Sequence, residues 1–183
     1  MNANLVGPQT EAGFPTKLGE YLPFAAPISK ELRRLLGDAG GLFEQGWHCE
    51  RTGLGIGAAA YYRRVVELKW NTLVQAMRSS AATIDAPPEV LARFDEALEQ
   101  TQFSKAVDSL KDGFPERLYV LSGVNPIALL HGSLSVDLHA RSDSECLELA
   151  AATRKVLHAM VETIARVQQE HDSLREAVKK LQF

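Results

Sequence analysis

Apolar positions recur in steps of three and four along most of this chain, the period of one face of an α-helix. Ser29 precedes KELRRLLGDAG, where Leu32, Leu35 and Leu36 share a face, and it is placed to cap a first helix. Gly40 and Gly41 mark the expected break, and LFEQGWHCERTG reads as a second helix. GLGIGAAAYYRRVVE then opens a third, running to about Ser79, with Ile56, Ala59, Ala60, Arg63, Val66 and Trp70 at helical steps. Pro87 and Pro88 begin a fourth, with Val90, Leu91, Phe94 and Leu98 on one face, and FSKAVDSLKDGF gives a short fifth that ends by Pro115. ERLYVLSG is read as helical, because no other stretch offers it a partner strand. Asn125 caps a further helix over NPIALLHGSLSVDLH, with Pro126 at its first position. The expected fold class is all-α.

The last segment carries the most regular pattern. Ser142 and Glu145 form a capping box signature. From there apolar or small residues recur at 146, 150, 153, 157, 160, 164, 167, 171, 174, 178 and 181, alternating four and three without a slip. In heptad terms Ala150, Leu157, Ile164, His171 and Val178 occupy a, and Cys146, Thr153, Met160, Val167, Leu174 and Leu181 occupy d. No proline or glycine interrupts residues 142–183. A helix of about 40 residues would be ~60 Å long, more than one domain of this size can cover. Two arrangements follow: pairing between chains, or folding back on its own bundle. The first is preferred, with Leu157, Met160, Ile164, Val167, His171, Leu174, Val178 and Leu181 as its dimerisation residues.

Residues 1–28 differ from the rest. They hold Pro8, Pro15, Pro23 and Pro27 with Gly7, Gly13 and Gly19, and read as an extended arm whose Tyr21, Leu22 and Phe24 are free to lie on the domain. Residues 29–183 then form a single helical domain. Of 183 residues, 45% are hydrophobic, enough for one real core. A net charge of −3 supplies no general field for nucleic acid. The two cysteines, Cys49 and Cys146, are far apart and have no metal-ligand spacing. No cofactor and no metal is expected. No apolar run approaches the roughly 20 residues of a membrane span, and no leader peptide pattern is present, so a cytoplasmic protein with no membrane role is expected.

The glycines at 53, 55 and 57 raise the question of a phosphate-binding loop. Such a loop needs a strand before it and G-x-G-x-x-G or a following Lys-Ser/Thr. The preceding EQGWHCERT is polar without alternation, and the spacing is G-x-G-x-G. A helix start without bulky side chains accounts for more: glycine and alanine let a neighbouring helix approach closely. Arg63 and Arg64 lie four and three residues before Glu67, the spacing of surface ion pairs.

GLGIGAAAYYRRVVE resembles the signature helix of an uncharacterised bacterial family within the HEPN-like helical domains, which reads Gly-Ile-Gly-Ala-Phe-x-Tyr-x-Arg-Arg-x-x-Glu. Downstream, LLHGSLSVDLHARSDSECLEL resembles that family's Leu-Ser-x-Gly-Ile-His-x-Leu-Ser-Glu-Glu-Glu-Cys-Leu. The likeness covers residues 28–165, so the last heptads lie beyond it. Asp137 stands where the family has glycine, and Ala140–Arg141 where it has an acidic residue and leucine. The resemblance implies an all-α bundle that forms homodimers, as an accessory part of a bacterial defence or RNA-related system. A protein partner within such a system, and RNA, stay open as further partners.

Catalytic HEPN proteins are metal-independent ribonucleases in which a histidine acts as acid or base and an arginine steadies phosphorane charge. The resemblance places the corresponding candidates at Arg64, Glu67 and His139, with Asp137 able to raise the imidazole's pKa if close. A spacing hit at Arg166 and His171 is better explained by the heptad, which already assigns His171 to a. His131 and His158 sit in apolar helical surroundings and read as packing residues. The preferred reading is a binding and dimerisation module. The alternatives are a ribonuclease and a structural interaction domain whose arm docks on a partner.

Overall fold

The computed structural model describes residues 28–120, 123–134 and 137–182. The arm therefore lies outside the described residues, apart from Ile28, which packs on the core. The described chain forms seven α-helices: α1 (Lys30–Leu36), α2 (Gly40–Arg51), α3 (Gly55–Thr83), α4 (Pro88–Glu99), α5 (Phe103–Ser109), α6 (Pro126–Leu134) and α7 (Asp143–Leu181). Short 3-10 turns cover Gly37–Ala39, Glu116–Leu118 and Leu138–Ala140. No strand is present among the described residues.

The caps read from the sequence are in place. The Ser29 hydroxyl accepts from the Leu32 amide, and Asn125 Oδ1 accepts from the Ile127 amide at 2.9 Å. The Ser142 hydroxyl accepts from the Glu145 amide while the Glu145 carboxylate accepts from the Ser142 amide, a complete capping box. Two expectations need correction. The break after α1 falls at Gly37, whose φ of +52° suits glycine, and Gly40 and Gly41 are already helical. Of the stretch ERLYVLSG, residues 116–118 make one 3-10 turn and Tyr119 after them is extended, so the helical reading holds only for that short turn among its described residues. α3 also runs four residues beyond Ser79.

α3 and α7 pack along each other as the central pair, with α2 laid on α3 and α4 to α6 closing the other side. The inward faces are those the period specifies: Ala58, Tyr62, Val65, Val66, Leu73, Val74 and Met77 from α3, and Cys146, Ala150, Leu157, Met160 and Val167 from α7. Each buried Leu or Met contributes about 2 kcal/mol relative to exposure. Core residues end on α7 at Val167, and residues from Gln169 to Gln182 are exposed. No helix among the described residues is long and apolar enough to cross a membrane.

Candidate functional site

The two sequence motifs meet at the start of α3. Gly53, at φ +77°, ends α2 in a Schellman turn: the Leu54 amide donates to the Cys49 carbonyl and the Gly53 amide to that of Glu50. α3 then starts against the first turn of α7. Asp143 Oδ2 accepts from the Gly55 amide and its Oδ1 from the Ile56 amide, both at 2.9 Å. These bonds, Ile56's first and Gly55's second, hold the Asp143 carboxyl below the usual carboxylate range. An α3 N-terminus is the place where an external phosphate would bind. Here the chain's own carboxylate takes it.

Gly55 is required by distance. A Cβ there would stand 1.9 Å from the Asp143 carbonyl oxygen and 2.5 Å from the Leu147 amide nitrogen. Small residues also set the α2–α3 spacing, because a Cβ on Gly46 would meet the Tyr62 ring at 2.7 Å.

Two turns along α3, both arginines of the motif share one carboxylate. Arg63 Nε donates to Glu67 Oε1 at 2.9 Å, and Arg64 Nη1 lies 3.6 Å from Glu67 Oε2. Arg64 is mostly exposed, and such surface pairs contribute about 0–1 kcal/mol. The turn Leu138–Ala140, which carries His139, packs on α3. The His139 side chain lies outside the described part of the structure. On the α3 side of that contact the arginine is Arg63, which lines a tightly closed cleft with Ala59, Ser133, Leu138, Leu149 and Thr153. An apolar groove of about 200 Å³ adjoins it between α6 and α7, bordered by Leu129, Leu149, Ala152 and Val156.

A polar cluster unforeseen from the sequence lies between α2, α3 and α7. Arg154 grips Glu50 with two hydrogen bonds of 2.8 Å, and the Tyr62 hydroxyl donates to the same carboxylate at 2.9 Å. The Arg154 guanidinium also lies 5.0 Å from the Trp47 ring centroid. The Glu50 and Arg154 side chains are 11% and 19% exposed, so the pair is largely desolvated. Burial works to raise the Glu50 carboxyl, but hydrogen bonds from Arg154 and Tyr62 outweigh it and hold it below its ordinary value. Burial, and then the bond to Glu50, push the Tyr62 phenol up. One turn from Arg154, His158 sets its ring edge-on to Phe43 at 5.8 Å. Its Nε2 is buried without a protein partner. Burial, and next the Arg154 charge, lower its pKa, opposed by Glu162. The cluster ties α2, α3 and α7 together through one carboxylate.

The heptad residues divide into two sets. Leu157, Met160, Ile164 and Val167 are buried in the chain's own core. Leu174, Val178 and Leu181 are 65%, 43% and 87% exposed, and His171 is exposed beside Asp172. Arg166 is drawn to Glu170 at 3.3 Å while His171 lies 3.5 Å from Asp172, so these two do not converge. Cys49 and Cys146 are free thiols, and among the described residues no group of three or more His, Cys, Asp or Glu is arranged to hold a metal. No family model matches the chain, and no curated protein or solved structure does either.

Proposed function

We propose that this chain is a HEPN-like helical module whose work is assembly. It forms a homodimer through the free end of α7 and serves as an accessory component of a bacterial defence or RNA-related system. The observation that carries the reading is the exposure of Leu174, Val178 and Leu181 on a helix whose start is firmly packed. Fourteen residues beyond Val167 extend about 21 Å. A free helix of that length is marginal in water, and an apolar stripe along it gains from a partner surface. The HEPN-like part rests on the two motifs, and their contact through Asp143 and Gly55 supports treating them as one unit.

The test is the double variant Leu174→Asp with Val178→Asp, both at exposed positions. Sedimentation should show a concentration-dependent dimer for the wild type and a monomer for the variant, with equal helicity. A wild type that stays monomeric, or a variant that still dimerises, overturns the reading. Charges at Ile164 or Val167 are unsuitable, because those residues hold the core.

A metal-independent ribonuclease is the second reading. The packing of the His139-bearing turn on the helix of Arg64 and Glu67 favours it. It requires cleavage of RNA by the wild type that is lost in His139→Ala; no cleavage by either protein removes it.

A further inference from the structure

We infer that the free end of α7 pairs antiparallel with the same segment of a second copy, with Leu174 of each chain against Val178 of the other. The inference rests on the assembly reading above and adds the direction and register of the contact.

Direction follows from where the stripe points. The heptad crosses Val167 without a slip, so the exposed stripe continues the core stripe. On a straight helix it drifts about 20° per heptad. Leu174 and Val178, two heptads on, therefore stay within roughly 40° of the face that Met160 and Ile164 present to the bundle, and Leu181, three heptads beyond Met160, within roughly 60°. The free end thus overhangs with its apolar side turned toward the space beneath its own body. A second helix running parallel on that side would drive its N-terminal half into the space the body fills. An antiparallel helix leaves in the other direction and carries its body away.

The segment also complements itself when reversed. Turning a second copy about residue 176 sets Leu174 opposite Val178 and His171 opposite Leu181, so a positions meet d positions in every layer. Charge agrees with the same direction. Glu170 and Asp172 stand at the start of the overhang, and Lys179 and Lys180 at its end. Reversal brings Lys180 level with Asp172 of the second copy, whereas parallel pairing sets lysine beside lysine and aspartate beside aspartate. Glu170, held by Arg117 at 2.9 Å, marks where the overhang leaves the body. Four apolar-face side chains per copy fall well short of the ~800 Å² per partner of a standard interface. The dimer is accordingly weak and reversible.

Cysteine pairing distinguishes the geometries. Leu174→Cys and Val178→Cys are made separately in a Cys49→Ala background, with Cys146 buried. In the antiparallel register two copies of residue 174 are offset by roughly 6 Å along the axis in addition to the interhelical gap, beyond disulfide reach. Under mild oxidation neither protein alone should form a linked dimer, and a mixture of the two should. Linked dimers from each protein alone, or a sedimenting dimer that no arm traps, overturn the register and leave the assembly reading standing. A monomer across about a hundred-fold range of concentration, with no trapping, overturns both.

Discussion

Replacing Gly55 with alanine tests how α3 meets α7. The added Cβ would lie 1.9 Å from the Asp143 carbonyl oxygen and 2.5 Å from the Leu147 nitrogen. Both are backbone atoms at the first turn of a 39-residue helix, so no side chain can swing aside. Ordinary contact requires the helix starts to separate by more than 1 Å, roughly, and overpacking of this kind costs about 1–3 kcal/mol. The upper part of that range applies, because separation also pulls Asp143 from the Gly55 and Ile56 amides. About 1 kcal/mol of helix propensity returns with alanine, leaving a net loss of ~2 kcal/mol. At 2–4 °C per kcal/mol for a chain of this length, the melting temperature should fall by about 4–8 °C. Two controls fix the interpretation. Gly53→Ala adds a side chain at φ +77° with open space around it, and should cost about 1 kcal/mol from backbone strain alone. Gly41→Ala lies in α2 with nothing within 4 Å and should stabilise by about 0.5 kcal/mol. The assay is thermal unfolding followed by circular dichroism. A Gly55→Ala protein as stable as the wild type would refute the close-contact reasoning.

Other outcomes follow from the same contacts. Glu50→Gln should lose about 2–3 kcal/mol by leaving Arg154 without its charge partner, while Glu50→Met with Arg154→Met should regain most of it in denaturant titrations. His158 has its folded pKa lowered, so the unfolded chain binds more protons below the ordinary value of about 6.5. Its contribution is fully present above that pH and is lost as pH falls through the folded value; His158→Leu should flatten this part of the melting temperature profile, and equal slopes would count against it. Asp143 is also lowered, so Asp143→Asn should destabilise at neutral pH, and the difference should shrink progressively as pH falls below the ordinary carboxylate value of about 3.9, as read from paired melts over a series of pH values from 7 downward.

The elements were legible where their signals are local. Ser29, Asn125 and the Ser142–Glu145 box each act within three residues, and each caps the helix assigned to it. The 3.5-residue repeat gave the length of α7, but periodicity alone does not say where the body of the protein stops. Val167 and Leu174 are both d positions, and only the neighbouring helices separate them into core and surface. The site was harder to read for the same reason. Glu50 and Arg154 are 104 residues apart, and Arg154 occupies an e position, which reads as a solvated flank. An arginine at an e position whose neighbours in that register, Leu147 and Val161, are apolar is the one hint it offers. Arg63 and Arg64 differ by 100° around α3. Which of them lines the cleft beside Leu138 depends on the rotation of α3, set by contacts such as Gly55 on Asp143.

Asp143 belongs to two helices at once. It is the first residue of α7, and its carboxylate closes the first turn of α3, 88 residues earlier in the chain. Neither end can fray alone: unwinding the start of α7 uncaps α3, and lifting α3 away removes the acceptors' donors. In hydrogen exchange the amides of residues 55–58 and 143–147 should therefore exchange as one cooperative unit with a shared opening free energy. Two segments remote in sequence thus behave as one clasp.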